Sequence, residues 1–206
     1  MDYPVRLELD APERVANWRP LVQWLLAFPH SVIAGALGYA AFAVAVVSWF
    51  TIVFTGRLSE GMANFQCMVI RYQTRTNSYA LWLREPYPPF DFSMTAADPG
   101  LDPLRVDFRP QLEDRNRLTV ALRIFWIIPI ALFLAVVAFA TVFVLIAAFF
   151  AVLFTRRWPE GMRRFVLGNM RLWAQVTAYG CLLVDDYPPF SVSEPAPSPP
   201  STQPLT

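Results

Sequence analysis

The sequence predicts a mainly α-helical integral membrane protein made of two tandem copies of one module. The first observation is a repeat: the segment 54–62 returns at 154–162, and the Tyr-Pro-Pro-Phe motif at 87–90 returns at 187–190. The second observation is that each copy contains an apolar stretch longer than the ~20 residues with which a helix crosses a bilayer. These stretches are residues 21–54 and 118–154. Together the two observations indicate a duplicated membrane module.

The composition supports that class and argues against nucleic acid as a partner. The 206 residues carry a formal net charge of +1, which offers no basic face for nucleic acid. All 17 cationic side chains are arginine, a bias typical of a GC-rich bacterial genome. We therefore expect a multi-pass protein of the bacterial inner (plasma) membrane that is in contact with membrane lipids.

Each copy opens with a short segment of alternating side chains. Residues 5–9 and 104–108 alternate apolar and charged side chains, and each segment follows a proline, as edge strands often do. An isolated strand leaves its backbone groups unsatisfied. We therefore expect these two short strands to pair with each other or with another extended piece.

The apolar stretches, of 34 and 37 residues, are too long for one straight crossing. As continuous helices they would measure about 50 to 55 Å, against a hydrocarbon core of about 30 Å. The favoured solution is a helical hairpin that turns near Gly35 and Gly38 in the first copy, because it keeps both copies in one orientation and the arginines cytoplasmic. The alternative is a kink at Pro29 or Pro129, with an interfacial lead-in helix and one spanning helix.

An amphipathic helix follows each apolar stretch. Arg71 lies away from an apolar stripe that includes Tyr72 and Tyr79, and Arg171 has the corresponding place in the second copy. One interpretation puts these helices in the membrane interface, with arginine facing lipid headgroups. The other packs them against the rest of the domain, and both can hold at once.

The Tyr-Pro-Pro-Phe motifs close the two copies. Their prolines stop the preceding helix and hold the chain extended. The rings of Tyr87, Phe90, Tyr187 and Phe190 suit the headgroup region, so we expect them to anchor each copy at the interface. Docking of another protein on these motifs is the competing hypothesis. The proline-rich tail 191–206 is expected to be disordered or extended unless a partner orders it.

Charged side chains flank the apolar stretches. Arg57 and Glu60 are three residues apart, as are Arg157 and Glu160. We expect each pair to form a juxtamembrane ion pair rather than to gate a polar path. Arg123 lies near the start of the second stretch, where its side chain can snorkel to the polar end.

The sequence predicts no catalytic, cofactor or metal site. His30 is the single histidine, without a second histidine or a cysteine cluster to complete a zinc site. Cys67 and Cys181 occupy non-equivalent positions in the two copies, so we expect two unrelated buried thiols. Because a phosphate loop and a nucleophilic arrangement are also missing from the sequence, we expect a non-enzymatic protein without a cofactor.

A series of short motifs recurs in a fixed order along the first copy. The order is Ala27-Phe28-Pro29-His30, Trp49-Phe50, Phe54-Thr55-Gly56-Arg57, Glu60-Gly61, Arg71, Tyr79 and Tyr87-Pro88-Pro89-Phe90. This order resembles a bacterial membrane family catalogued as a domain of unknown function, over roughly residues 4–190. The second copy departs from the pattern, with Ile130 in place of His30 and Arg156 in place of Gly56. The resemblance implies an integral membrane module in one or two copies and supplies no reaction or ligand.

The boundaries and the function follow from these observations. We place the first copy at 1–90, a linker at 91–102, the second copy at 103–190 and the tail at 191–206. We expect an accessory or scaffold subunit that contacts other membrane proteins, because the duplicated module carries interfacial aromatics without catalytic groups. The alternative is a lipid-binding or membrane-shaping protein that uses arginine-rich amphipathic helices.

Overall fold

The computed structural model describes residues 3–192, which form six helices and two strands. In chain order these are β1 (Val5–Leu9), α1 (Arg19–Leu26), α2 (Phe28–Thr55), α3 (Glu60–Ala80), β2 (Leu104–Phe108), α4 (Arg117–Ala121), α5 (Arg123–Thr155) and α6 (Glu160–Gly180). The predicted disordered tail lies outside the described residues from position 193 onward. The mainly helical, duplicated architecture predicted from the sequence is therefore confirmed.

The two predicted strands form one antiparallel pair, as expected. Leu7 lies opposite Val106 at the centre of the pair. Because these two residues hold equivalent positions in the two copies, the pairing relates the copies by an approximate twofold axis through its centre. The apolar side chains of β1 and β2 are buried, except for the half-buried Leu9, and charged neighbours such as Arg6 and Arg105 are exposed.

The predicted helical hairpin is wrong. Helix α2 runs without interruption through Gly35 and Gly38 and ends at Gly56, whose left-handed φ of 73° allows its N–H to donate to the Ile52 carbonyl at 2.7 Å. A turn inside an apolar run would leave backbone groups without partners, and glycine alone does not force one. Helix α5 is likewise continuous and ends in the same way at Arg156, with φ of 57°.

The alternative prediction, a lead-in helix followed by one long helix, agrees with the helices of both copies, but the kink predicted at Pro129 is wrong because α5 continues through that residue. Helices α2 and α5 contain 28 and 33 residues, which corresponds to about 42 and 50 Å. In the first copy the helix is interrupted at Ala27, two residues before Pro29. In the second copy the helix is interrupted at Leu122, and Pro129 lies inside α5.

Helix α3 lies along strand β2. Arg71 donates from Nε to the Val106 carbonyl at 3.2 Å, and Arg75 donates from Nε to the Leu104 carbonyl at 3.3 Å. A step of one turn along α3 thus corresponds to a step of two residues back along β2. The helix and the strand therefore run in opposite directions with nearly parallel axes. The second copy repeats this arrangement, with Arg171 of α6 donating to the Leu7 carbonyl of β1 at 3.3 Å.

Helix α2 packs on the opposite side of α3. Gln66 donates to the Ala41 carbonyl at 2.7 Å, and Gln73 donates to the Ala34 carbonyl at 3.0 Å. At about 100° per residue, both glutamines lie roughly 140 to 160° around the helix from Arg71. The molecule is therefore layered: the two-stranded sheet comes first, then α3 and α6, then the long helices α2 and α5.

The main hydrophobic core fills the space between the sheet and the middle layer. Val106 of the sheet, Ile70 of α3 and Ala174 of α6 are buried in this cluster. Trp158, in the turn before α6, is also buried there, and its indole N–H donates to the Trp82 carbonyl at 2.9 Å. The core thus lies on the sheet side of the long helices and leaves their outer sides uncovered.

Candidate functional site

The outer sides of the long helices form a broad apolar surface. Only 17% of the most apolar window of either α2 or α5 is buried, whereas the core helix of a soluble protein is mostly buried. Tyr39 and Phe42 of α2 are 83% and 72% exposed, and Phe139 and Phe154 of α5 are 68% and 79% exposed. We call this surface, formed by the outer sides of α1, α2, α4 and α5, the apolar face. By length and composition, both long helices are apolar enough to cross a membrane.

Charged side chains lie at the ends of the long helices, as predicted. Arg57 follows α2, Arg156 and Arg157 follow α5, and all three are exposed. Glu160 forms an ion pair at 3.3 Å with Arg164, which lies one turn further along α6, whereas the predicted partner was Arg157. Glu60 occupies the first turn of α3, where a carboxylate faces the positive end of the helix.

The polar side of α3 faces the sheet and the linker instead of headgroups. Arg71 is 2% exposed, and its Nε lies 3.3 Å from a carboxylate oxygen of Asp98. Arg75 pairs with Asp91 at 2.7 Å and with Asp98 at 2.8 Å. The prediction that Arg71 faces lipid headgroups is therefore wrong. The prediction fails because the carbonyls of β2 and the linker carboxylates cover the polar stripe of α3. The alternative interpretation, in which α3 packs against the rest of the domain, therefore holds.

The linker 91–102 is a structural part of the first copy. Asp98 accepts hydrogen bonds from the Val106 and Gly100 amides, both at 2.8 Å, in addition to its arginine partners. Asp102 pairs with the fully buried Arg84 at 2.5 Å. Burial works to raise the pKa of Asp91, but hydrogen bonds from Ser93 and Arg75 outweigh it and hold that pKa below its usual value.

The second copy concentrates its buried charge at the start of α5. Arg123 donates to the Tyr179 and Val184 carbonyls at 2.9 and 2.6 Å, and its guanidinium lies 4.0 Å from the Tyr179 ring centroid. Asp185 pairs with Arg123 at 2.5 Å and with Arg115 at 2.6 Å. Burial works to raise the pKa of Asp185, but the two arginines outweigh it and lower that pKa.

An aromatic cluster joins the first Tyr-Pro-Pro-Phe motif to the start of α2. The fully buried His30 is hydrogen-bonded through Nδ1 to the Tyr72 hydroxyl at 2.7 Å and is stacked on Phe90 at 4.1 Å between ring centroids. Tyr87 lies 4.8 Å from the His30 ring and makes an edge contact with Tyr79 at 5.3 Å. The single histidine is thus part of a packed aromatic cluster.

The second motif keeps part of this arrangement. Tyr187 makes an edge contact with Tyr179 at 5.5 Å, as Tyr87 does with Tyr79. Phe190 contacts Phe133 at 5.4 Å, because Ile130 stands where the first copy has His30. The motif residues Tyr87, Phe90, Tyr187 and Phe190 are 37 to 55% exposed, beside the first turns of the long helices.

An apolar groove separates α2 from the start of α5. It has a volume of about 730 Å³, and we call it the central groove. Small residues of α2, namely Gly38, Ala41 and Ala45, form one wall, and Gln66 and Gln73 of α3 form part of its floor. The far wall consists of the first residues of α5, the last turn of α6 and the cysteine that follows it: Arg123, Ile124, Ile127, Thr177, Gly180 and Cys181.

The twofold-related position holds a smaller groove of about 390 Å³, which we call the minor groove. It is lined by Ala138 of α5 and by Asn169, Met170 and Trp173 of α6. Trp173 holds the position that Gln73 has in the first copy, and its larger side chain takes up space at the equivalent wall. The two copies therefore present one wide and one narrow groove.

The two cysteines are free, as predicted, and their thiols are not reactive. Burial raises the pKa of Cys67 to about 12 and the pKa of Cys181 to about 12. Thiols with such a pKa stay protonated at neutral pH and are poor nucleophiles. Among residues 3–192, no group of three histidine, cysteine or carboxylate side chains is arranged to hold a metal ion.

A family model described as a domain of unknown function, DUF4389, matches the chain twice, at residues 17–91 and 117–191. The chain belongs to the DUF4389 family. Its two tandem DUF4389 copies confirm the repeat and the family resemblance predicted from the sequence. No curated protein and no solved structure matches this chain.

The DUF4389 matches contain the residues that the sequence singled out. Both Tyr-Pro-Pro-Phe motifs, both apolar helices and both Arg/Glu pairs fall within the matched ranges, whereas β1 and β2 precede them. Sequence reasoning missed the linker aspartates and Gln66. The sequence did contain a signal for the aspartates. The three linker residues Asp91, Asp98 and Asp102 follow a helix that carries two arginines one turn apart, Arg71 and Arg75.

Proposed function

We propose that this chain is a lipid-binding and membrane-shaping protein, embedded by its apolar face in one leaflet of the membrane. The long helices then lie parallel to the membrane surface, and the sheet faces the cytoplasm. This is the second of the two functions expected from the sequence. The accessory or scaffold role stays a prediction, and it would require protein partners to cover the apolar face.

The position of the sheet over the first half of α2 carries this proposal. Arg71 and Arg75 contact β2, and Gln66 and Gln73 of the same helix contact the first half of α2 through the carbonyls of Ala41 and Ala34. The sheet is therefore level with the first half of the apolar helix. If α2 crossed the bilayer upright, the sheet would enter the hydrocarbon core with it.

Such an upright crossing is energetically unfavourable. The exposed sheet residues Arg6, Glu8 and Arg105 would lose their water. An arginine at the bilayer centre costs about 2.5 to 3.5 kcal/mol on insertion scales, and exposed strand edges have no partners there. Embedding by one face puts the apolar side chains in lipid and keeps these charges in water, so both surfaces are satisfied.

The rim of the apolar face supports the same orientation. Arg57, Arg156 and Arg157 are exposed at the ends of the long helices, where they can reach headgroup phosphates. The half-exposed Tyr87 and Tyr187 lie where aromatic side chains commonly anchor proteins at the headgroup level. Two long helices inserted in one leaflet would also expand that leaflet alone, which favours curvature.

Cysteine labelling in spheroplasts distinguishes embedding in one leaflet from crossing. Glu13→Cys reports the start of the first copy, and Ser59→Cys reports the turn after α2; both native residues are exposed. We expect a membrane-impermeant maleimide to label neither variant from outside and both after lysis. Labelling of one from outside and the other only after lysis would show that α2 crosses and would contradict the proposal.

Vesicle binding tests the role of lipid. We expect the purified protein to float with vesicles that contain phosphatidylglycerol and to deform them. Phe42→Glu together with Val142→Glu, at equivalent exposed positions of the apolar face, should abolish flotation. The matched control Arg105→Glu, on the outer side of the sheet, should leave it intact. Recovery of the wild-type protein only with bound membrane proteins and never with vesicles would favour the scaffold role instead.

A further inference from the structure

We propose that the central groove binds one single-chain amphiphile with a hydroxyl donor and a carbonyl acceptor in its head, as in a protonated fatty acid or a monoacylglycerol. The proposal rests on the proposed function, because the ligand would enter from the bilayer through the apolar face. It goes further by naming a specific site, a stoichiometry of one and a ligand class.

The size and lining of the central groove suit one hydrocarbon chain. Its volume of about 730 Å³ falls in the range of about 300 to 1,000 Å³ that small-molecule sites occupy. The wall of Gly38, Ala41 and Ala45 lets the groove reach down to α3, and Phe42 and Phe50 line it at the apolar face. Each methylene that leaves water in such a site strengthens binding through the hydrophobic effect.

Two unpartnered polar atoms specify the head of the ligand. Among the described residues, Gln66 Oε1 and Arg123 Nε are buried without a hydrogen-bond partner, and both side chains line the central groove. Gln66 is 1% exposed and Arg123 is 3% exposed. A buried polar group without a hydrogen-bond partner destabilises the protein until a partner satisfies it. A hydroxyl that donates to Gln66 and a carbonyl that accepts from Arg123 would satisfy both.

The local charge favours a neutral head over a phosphate. Asp185 already neutralises Arg123 at 2.5 Å and also pairs with Arg115. An added anion would therefore face a carboxylate next to its arginine partner. A phospholipid headgroup would carry its charge into this apolar groove without a further cation among the residues that line it in the structure.

The minor groove explains why one ligand is expected instead of two. Val166 replaces Gln66 at the equivalent position, and Trp173 replaces Gln73. The minor groove thus lacks the glutamine acceptor and has a volume of about 390 Å³, little more than half that of the central groove. The duplication has left one copy of the site open and the other narrowed.

Direct binding to the full-length protein tests this site. Delipidated protein in mild detergent is titrated with monoolein and, separately, with oleic acid at low pH, and bound molecules are counted by native mass spectrometry. We expect saturable binding of one molecule per chain. Binding of monoolein alone, or of oleic acid alone, would identify the source of the shared head chemistry.

Matched variants separate the site from general partition into the apolar face. Ala45→Trp fills the central groove and should weaken binding at least tenfold, whereas Ala43→Trp, on the exposed side of the same helix, should leave it unchanged. Gln66→Leu removes the acceptor and should weaken binding about tenfold, equivalent to one hydrogen bond. Thermal unfolding of each variant shows whether it remains folded.

Three results would overturn the proposal: no saturable binding, equal effects of Ala45→Trp and Ala43→Trp, or retention of two-chain phospholipid alone. Flotation of the same variants keeps this failure distinct from failure of the proposed function. If Ala45→Trp and the wild type both float and neither binds monoolein or oleic acid, the groove proposal fails and the membrane role stands. If the wild type does not float at all, the membrane role itself fails.

Discussion

In each copy, a side chain near the start of the apolar stretch donates to an equivalent backbone carbonyl, but the two side chains differ. In the first copy, Gln23 donates its amide to the Arg84 carbonyl at 2.8 Å. In the second, Arg123 donates to the equivalent Val184 carbonyl at 2.6 Å and adds an ion pair with Asp185. In both copies this bond ties the start of the apolar stretch to the loop after α3 or α6. The carbonyl contact is therefore common to both copies, and the ion pair is an addition of the second copy.

The copies differ again on the side that faces the sheet. In the first copy, Arg71 and Arg75 are neutralised by aspartates of the linker. In the second copy, Gln175 stands in place of Arg75, and one fewer cation needs a partner. The linker therefore completes the first copy, so that a segment between two repeats has become part of one of them.

The largest expected effect comes from breaking this linker network. Asp98→Asn keeps the shape of the side chain but removes the charge that Arg71 and Arg75 share. Breaking a buried ion pair from one side costs about 3 to 5 kcal/mol, because the remaining charges stay buried. We expect a loss of that order in the free energy of unfolding, measured by denaturant titration in detergent. Asp186→Asn, an exposed carboxylate of the second copy, is the control and should have little effect.

The second prediction converts one copy toward the other. Arg123→Gln reproduces the residue of the first copy, so its amide can still donate to the Val184 carbonyl while the ion pair with Asp185 is lost. Asp185 keeps Arg115 as a partner. We therefore expect a loss of about 2 kcal/mol, the size of one charged hydrogen bond. Arg123→Leu, which also loses the carbonyl contact, should cost more, and equal losses in the two variants would show that the carbonyl contact is unimportant.

Sequence patterns alone predicted the repeat and the pairing of the two strands. They also offered the lead-in helix followed by a long helix, but only as one of two alternatives. Alternation at 5–9 and 104–108 predicts the strands because side-chain period alone sets which face is buried. The hairpin prediction failed because Gly35 and Gly38 permit a turn without requiring one. Topology arguments cannot decide such a case, since they assume that a long apolar helix must cross the membrane.

The polar side of α3 shows what sequence periodicity cannot supply. The arginines at positions 71 and 75 define a polar stripe, but the stripe looks the same whether water, headgroups or another part of the chain covers it. The covering groups, Asp98 and the Val106 carbonyl, are distant in sequence from the stripe. The central groove was equally hidden, because it forms between α2 and α5, elements from different copies.

The third prediction exchanges a polar pair of the first copy for the apolar pair of the second. His30 and Tyr72 are hydrogen-bonded at 2.7 Å, whereas the equivalent Ile130 and Leu172 pack in one apolar cluster. His30→Ile alone leaves the Tyr72 hydroxyl without its partner and should cost about 1 to 3 kcal/mol. The double variant His30→Ile with Tyr72→Leu should cost less than the sum of the two single changes. A strictly additive double-mutant cycle would mean that the hydrogen bond contributes nothing.

The smallest expected effect concerns acid, to which one aspartate of the linker and one of the second copy should respond in the same way. The folded-state pKa values of Asp91 in the linker and Asp185 in the second copy are held below their usual range, because their arginine and hydroxyl partners outweigh the effect of burial. A lowered folded pKa adds stability that is fully present above the unfolded value of about 3.9 and is lost as the pH falls through the folded value. We therefore expect the unfolding free energy to be flat from neutral pH to about pH 5 and to fall below about pH 4. Asp91→Asn and Asp185→Asn should each remove part of this slope, measured by denaturant titration at each pH. An unchanged slope in both variants would assign the acid sensitivity to other carboxylates.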